Sequence, residues 1–307
     1  MQATDRKAYL ALLVVCIVWG ISWVGTKEAV RYMPSFQMVG IRQILAGLAY
    51  VIFFLIRGDK LPKGKEWRPI LLLSFLNFMV SNGLATLGVK LTTAGVSAII
   101  GALFPLWLVI ILTLRGGSRI PRIAWLGILL GFSGICIIFY EHLKLLFDFS
   151  FLGGIFIGLV AALSWAFGTI YTKEFAHSFN PYHSIGWQML ISGVTLNIFA
   201  TATGQTIPLV DIRFYTWEMI ILLVIVSSII AVLAYLYALQ RLPTSVVSLY
   251  PYINPIVAEF AGFWFIKERL TWIILAGSAV TLTGVYIVNR ALRKQRAAIA
   301  AATLPES

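Results

Sequence analysis

The chain has 307 residues, 60% of them apolar and only 12% charged, with a net charge of +12 and a mean hydropathy of +0.89. Soluble globular domains average about 45–50% apolar and about 25% charged residues, so an ordinary cytosolic domain is excluded. Nucleic acid is not the partner that the positive balance implies, because the basic residues sit in short clusters between apolar runs, as loops facing anionic lipid do.

Ten apolar runs follow in chain order: Tyr9 to Ala29, Phe36 to Ile56, Pro69 to Val89, Ala94 to Leu114, Ile123 to Phe139, Leu152 to Tyr171, Tyr182 to Thr201, Trp217 to Leu239, Val246 to Ile266 and Trp272 to Asn289. A helix needs about 20 apolar residues to cross a bilayer, and continuous runs do not fit the alternation of a membrane barrel. The prediction is an all-α membrane protein with ten transmembrane helices. Arg6 and Lys7 resemble the start of a signal peptide, but no small-residue cleavage site closes a short core, so the first run reads as a retained helix. Cys16 and Cys136 fall at different depths, and no disulfide between them is expected.

With ten spans both termini share a side, which carries sixteen Lys and Arg residues against seven opposite. That bias places both termini in the cytoplasm and the chain in the cell inner (plasma) membrane. The halves also repeat. At an offset of 146, Trp19 meets Trp165, Lys27-Glu28 meets Lys173-Glu174, Gly40 meets Gly186 and Gly47 meets Gly193; at an offset of 150, Pro105 meets Pro255, Gly127 meets Gly277 and Gly134 meets Gly284. Five helices per half is an odd number, so the second copy enters the bilayer inverted, an architecture of secondary transporters with a site near mid-membrane. The expected domains are residues 1–145, residues 146–292 and a cytoplasmic basic tail, 293–307.

The stretch Val18-Trp19-Gly20-Ile21-Ser22-Trp23, the opening of the second run from Pro34 to Arg42, and the turn Lys267-Glu268-Arg269-Leu270 resemble the EamA-type transporters of the drug/metabolite transporter superfamily. The turn is similar to that family's Gly-Glu-Arg signature, with Lys267 in the Gly position and Gly117-Ser118-Arg119 as the first-half equivalent. The resemblance runs from Tyr9 to Arg290. It implies ten helices around a central cavity lined by helices 1–4 and 6–9, with helices 5 and 10 at the periphery. It also implies export of amino acids and other small metabolites.

Charges inside the spans are the sharpest clues, because an isolated one costs about 2.5–3.5 kcal/mol at a helix centre. Arg42 and Glu259 each lie about 10 Å below the same end of their runs, at about 1.5 Å per residue. Two readings follow: a structural ion pair, or a carboxylate whose protonation frees Arg42 for an anionic substrate group, which makes both residues coupling candidates. Ser74, Asn77 and Ser81 share a helical face by spacings of three and four, with Asn82 beside them, and Gln188, Ser192 and Asn197 form a looser stripe. The aromatic cavity candidates are Trp19, Trp23, Trp107, Trp165, Tyr235, Tyr250 and Tyr252, able to accept an apolar side chain or, by cation–π contact, an ammonium. Glycines of the fifth and tenth runs permit close packing and suggest a homodimer through those helices. Pro105, Pro251 and Pro255 mark the fourth and ninth runs for kinks.

No metalloprotease, nucleophile-elbow, phosphate-loop or metal-ligand spacing occurs, so neither an enzyme nor a cofactor is expected. The sequence predicts a secondary carrier exporting small metabolites, foremost neutral or aromatic amino acids, by alternating access. The alternatives are an efflux carrier for toxic cations and a non-transporting membrane sensor or scaffold.

Overall fold

The computed structural model describes residues 3–115, 121–141, 148–174, 181–242, 247 and 250–302. The chain forms helices α1 (Ala3–Arg31), α2 (Ser35–Ile56), α3 (Trp67–Leu73), α4 (Gly83–Leu91), α5 (Ala94–Gly101), α6 (Phe104–Leu114) and α7 (Arg122–Glu141). They are followed by α8 (Phe149–Glu174), α9 (Pro181–Ala202), α10 (Phe214–Leu222), α11 (Ala231–Arg241), α12 (Tyr250–Ile266) and α13 (Trp272–Ala302). Two π-helical segments, π1 (Ser74–Asn82) and π2 (Leu223–Ile230), join α3 to α4 and α10 to α11 without a break. Among the described residues there is no strand.

Six helices are long and apolar enough to cross a membrane, and four shorter apolar helices accompany them. Leu10, Leu13 and Ile17 on α1, Ile52, Phe53 and Ile56 on α2, and Leu126 and Leu129 on α7 are exposed. In water such rows would be a liability, but against lipid tails they cost nothing. This is a multi-pass membrane protein.

Local chemistry explains the element ends. Pro34, in an extended conformation, precedes α2, and its carbonyl accepts the first intrahelical bond, from the Met38 N–H at 3.0 Å. Thr93 caps α5 through its side chain, which accepts the Val96 N–H at 3.1 Å. The fourth run breaks at Ala102–Leu103, just ahead of Pro105, whose missing N–H leaves the preceding turn one bond short. Pro255 produces no such break, since α12 runs through it continuously. The tenth run extends beyond Asn289 as one helix to Ala302, through most of the expected basic tail.

Glycines set the main crossings. A methyl group on Gly40 would meet the Gly193 carbonyl at 3.0 Å, and one on Gly47 would meet the Gly186 carbonyl at 2.8 Å, so α2 and α9 pack antiparallel, backbone on backbone. The same contact recurs between α7 and α13, where Gly127 faces Gly284 (2.6 Å) and Gly134 faces Gly277 (2.5 Å). The glycines of the fifth and tenth runs thus make this close contact within the chain. In both crossings the sequence-matched residues exchange partners: Gly40 matches Gly186 by offset but touches Gly193, while Gly47 matches Gly193 and touches Gly186.

Candidate functional site

The two π-helical segments lie in the third and eighth apolar runs, at corresponding places in the two halves. A π-helix bonds i to i+5 and carries extra residues per turn, which misaligns its carbonyls and opens them to side-chain donors. In π1 the Leu76 carbonyl accepts from Ser164 Oγ (2.7 Å), the Phe78 carbonyl from Gln43 Nε2 (3.1 Å) and the Asn77 carbonyl from Asn82 Nδ2 (3.2 Å). In π2 the Ser227 carbonyl accepts from Trp19 Nε1 (3.3 Å), while Tyr50 Oη donates to the carbonyls of Ser228 (3.3 Å) and Ile229 (3.1 Å). The first half thus holds the irregular segment of the second, whereas π1 is held by Ser164 of the second half together with Gln43 and Asn82 of its own. Ser74, Asn77 and Ser81 are buried, and the helical spacing that put them on one face is not the one the backbone adopts. Asn77 Oδ1 lies against Gly168 of α8, at a distance no other residue type would allow.

Beside π2 an aromatic set closes together. Trp19 stands 5.3 Å from Tyr235 and 5.0 Å from Tyr250 between ring centroids, and the two tyrosines are 5.8 Å apart. Trp165 lies beside the Tyr250 hydroxyl of the same set. Four of the aromatic candidates, from α1, α8, α11 and α12, are therefore one cluster. Trp23 stands apart, over Gly101 of α5, where a methyl group on the glycine would meet its ring at 3.1 Å. Trp107 packs on Phe132 of α7 with its ring nitrogen buried and unpartnered. The Tyr252 side chain lies outside the described residues.

Arg42 and Glu259 do not meet, which corrects the expected ion pair. Arg42 Nη2 donates to Asn82 Oδ1 at 2.8 Å, and its Nε is buried with no partner. Glu259 lies instead against Gly95 at the start of α5, with Oε1 buried and unpartnered. Arg31 and Glu28 form an ion pair at 3.5 Å that involves neither Arg42 nor Glu259. Equal depth along two helices says nothing about their separation across the bundle, and α2 and α12 face different neighbours. Gln188, the repeat equivalent of Arg42, is bonded within its own helix to Ser184 Oγ (2.8 Å), and its carbonyl accepts from Ser74 Oγ (2.8 Å).

A polar seal joins the halves at one end. Lys27 Nζ donates to the carbonyls of Val89 (2.9 Å), Lys90 (3.1 Å) and Thr92, which places a cation at the C-terminus of α4, where the helix dipole favours it. Glu268 Oε1 accepts the Ala94 N–H at 2.9 Å at the N-terminus of α5, the complementary arrangement. Burial pushes the Glu268 carboxyl above the ordinary carboxylate range; the Ala94 and Gly95 amides and Lys27 offset this only in part. Lys267 holds Glu268 in place from a left-handed conformation (φ 57°), and the Glu268 N–H returns to the Gly262 carbonyl at 3.1 Å. Sequence reasoning singled out Glu268 only through the signature turn and missed the roles of Lys27, Tyr50, Ser227 and Ser228. The available signal was polarity at the ends and centres of apolar runs. The first-half equivalents of the turn, residues 117–119, lie outside the described residues, as do the side chains of Lys173 and Glu174.

A model of the EamA-like transporter family matches this chain twice, over residues 6–140 and 152–290. The chain belongs to the EamA-like transporter family. It is 28% identical to the uncharacterized transporter YvbV of Bacillus subtilis, over 97% of this chain and 96% of that one. It is 27% identical to the uncharacterized inner membrane transporter YedA of Escherichia coli K12, over 91% and 89%. A WAT1-related chloroplastic protein of Arabidopsis thaliana is 27% identical over 88% of this chain and 66% of its own. One crystal structure superposes with a TM-score of 0.67 at 15% identity, covering 92% of this chain and 97% of that one, a likeness of fold alone. Family and relatives together make the EamA protein a membrane transporter.

Proposed function

We propose that this EamA protein is a ten-span inner-membrane carrier, both termini cytoplasmic, whose two inverted halves rock about a central site to export small metabolites. The observation that carries the reading is the exchange of glycine partners at both helix crossings. A pseudo-two-fold axis in the membrane plane requires that exchange, because it sends Gly40–Gly193 onto Gly186–Gly47. Trp19 and Tyr50 of the first half hold π2, and Ser164 of the second half reaches π1, so the halves meet where backbone is easiest to reshape. The Lys27 and Glu268 seal would then be the extracytoplasmic gate. Trp19, Trp165, Tyr235 and Tyr250 supply a flat apolar surface with polar tips, suited to the side chain of a neutral or aromatic amino acid. The same cage favours a second reading, efflux of organic cations through cation–π contact. Glu259, with one carboxylate oxygen unpartnered, is the candidate for coupling transport to a proton.

Counterflow of labelled neutral amino acids into liposomes holding the purified protein tests the proposal. Saturable exchange of a few of them, weakened by Glu259→Gln, is the expected result. Exchange of labelled organic cations alone establishes the second reading. Exchange of neither, with folding verified, refutes the carrier.

A further inference from the structure

We propose that Arg42 is the seat for a carboxylate on the transported molecule, an inference that rests on the carrier reading and narrows its substrate class. Arg42 is 7% exposed, and among the described residues no carboxylate lies within ion-pair reach of it. Its one hydrogen bond is to a neutral amide oxygen, Asn82 Oδ1, and Nε has none. A buried guanidinium is stable only when its charge and its donors are both answered, and here neither is. Glu259, the residue that depth suggested as its counter-ion, is occupied against Gly95 on another helix.

The surroundings aim the group rather than neutralise it. Asn82 gives its own amide N–H to the Asn77 carbonyl, which π1 leaves open, so its oxygen is fixed facing Arg42. Two residues before Arg42, Gly40 locks α2 against α9. The guanidinium is thus oriented from one edge, with its remaining donors uncommitted. A planar fork held in this way matches a carboxylate, and an arriving anion supplies the charge that the protein omits. A cationic substrate would meet repulsion at the same place, which tells against the organic-cation reading.

The test uses the thermal midpoint of the purified full-length protein with matched pairs: phenylalanine and its amide, leucine and its amide, tryptophan and its amide. Sodium acetate is an additional arm. The acid of at least one pair should bind about tenfold or more tightly than its amide, the ratio expected for a charge-assisted hydrogen bond. Arg42→Gln should erase that preference. Because Arg42→Gln risks misfolding, Asn82→Asp provides the second variant. It gives Arg42 a carboxylate of its own, so the midpoint without ligand should rise while the preference for acids collapses.

Equal binding of acids and amides, binding of none of the pairs, or a preference that survives Asn82→Asp would overturn the proposal. Acetate acting as strongly as the amino acids would make Arg42 a small-anion site and overturn it as well. Counterflow separates the two claims. Exchange of acids and amides alike keeps the carrier and removes the seat, whereas a preference in binding without any exchange keeps the seat and removes the carrier.

Discussion

Single residues in this protein take their meaning from which partner the fold denies them. Arg42, with a neutral amide as its hydrogen-bond partner, is on our proposal a binding group in waiting, whereas Lys27, with three carbonyls, is a fastening. Glu268 is a fastening that titrates. Its folded-state pKa lies above the ordinary value, so the folded protein holds that proton more tightly than the unfolded chain does. The resulting stability is present at low pH and is lost as pH rises from the ordinary carboxylate range through Glu268's own higher value. Glu268→Gln, which keeps an oxygen for the Ala94 N–H but has no proton to lose, should therefore gain stability relative to the wild type as pH rises through that window. Melting curves across the carboxylate range check this, and a difference between the two proteins that stays flat with pH would show the assignment to be mistaken.

At the scale of elements, the two π-helical segments are the departure from regular structure that organises the rest. Neither is visible as a break in hydropathy, since the apolar runs continue through both. Their polar residues were legible in π1, where Ser74, Asn77, Ser81 and Asn82 crowd an apolar run. They were nearly silent in π2, where only Ser227 and Ser228 interrupt it. A π-turn forms where outside donors compensate its misaligned carbonyls, and those donors arrive from distant sequence: Trp19 and Tyr50 for π2, Gln43 and Ser164 for π1. Tyr50→Phe removes the hydroxyl shared by the Ser228 and Ile229 carbonyls and leaves the ring in place. The expected cost is about 1–2 kcal/mol of stability, with faster amide exchange confined to π2. Denaturant titration and hydrogen exchange measure the two effects, and a change spread evenly over the molecule would contradict the local role.

For the whole molecule, the loop charges carry a prediction that the fold alone does not make. On the proposed topology, sixteen basic residues lie on one side against seven on the other, and that bias is the ground for proposing that the termini are cytoplasmic. A single cysteine at exposed position Gln205 should then react with a membrane-impermeant maleimide added outside intact cells. One at Lys60 should react only after the membrane is opened. The reverse pattern would invert the protein and move the Lys27 and Glu268 seal to the cytoplasmic face.

Hydropathy and spacing by themselves determined the class of molecule, the positions of its apolar helices and the correspondence of its halves. Each of these depends on residues a few positions apart or on composition over about 20 residues, the length a bilayer imposes. Gly127, Gly134, Gly277 and Gly284 even marked where two runs pack closely, because backbone contact needs the smallest residue. Only the tertiary structure decided that Arg42 and Glu259 stand apart, that Trp107 leaves the aromatic cluster that Trp165 joins, and that two apolar runs contain π-turns. Those outcomes depend on the lateral arrangement of helices in the membrane. That arrangement follows from which surfaces fit together across the bundle, and depth and polarity along a single helix carry no record of it.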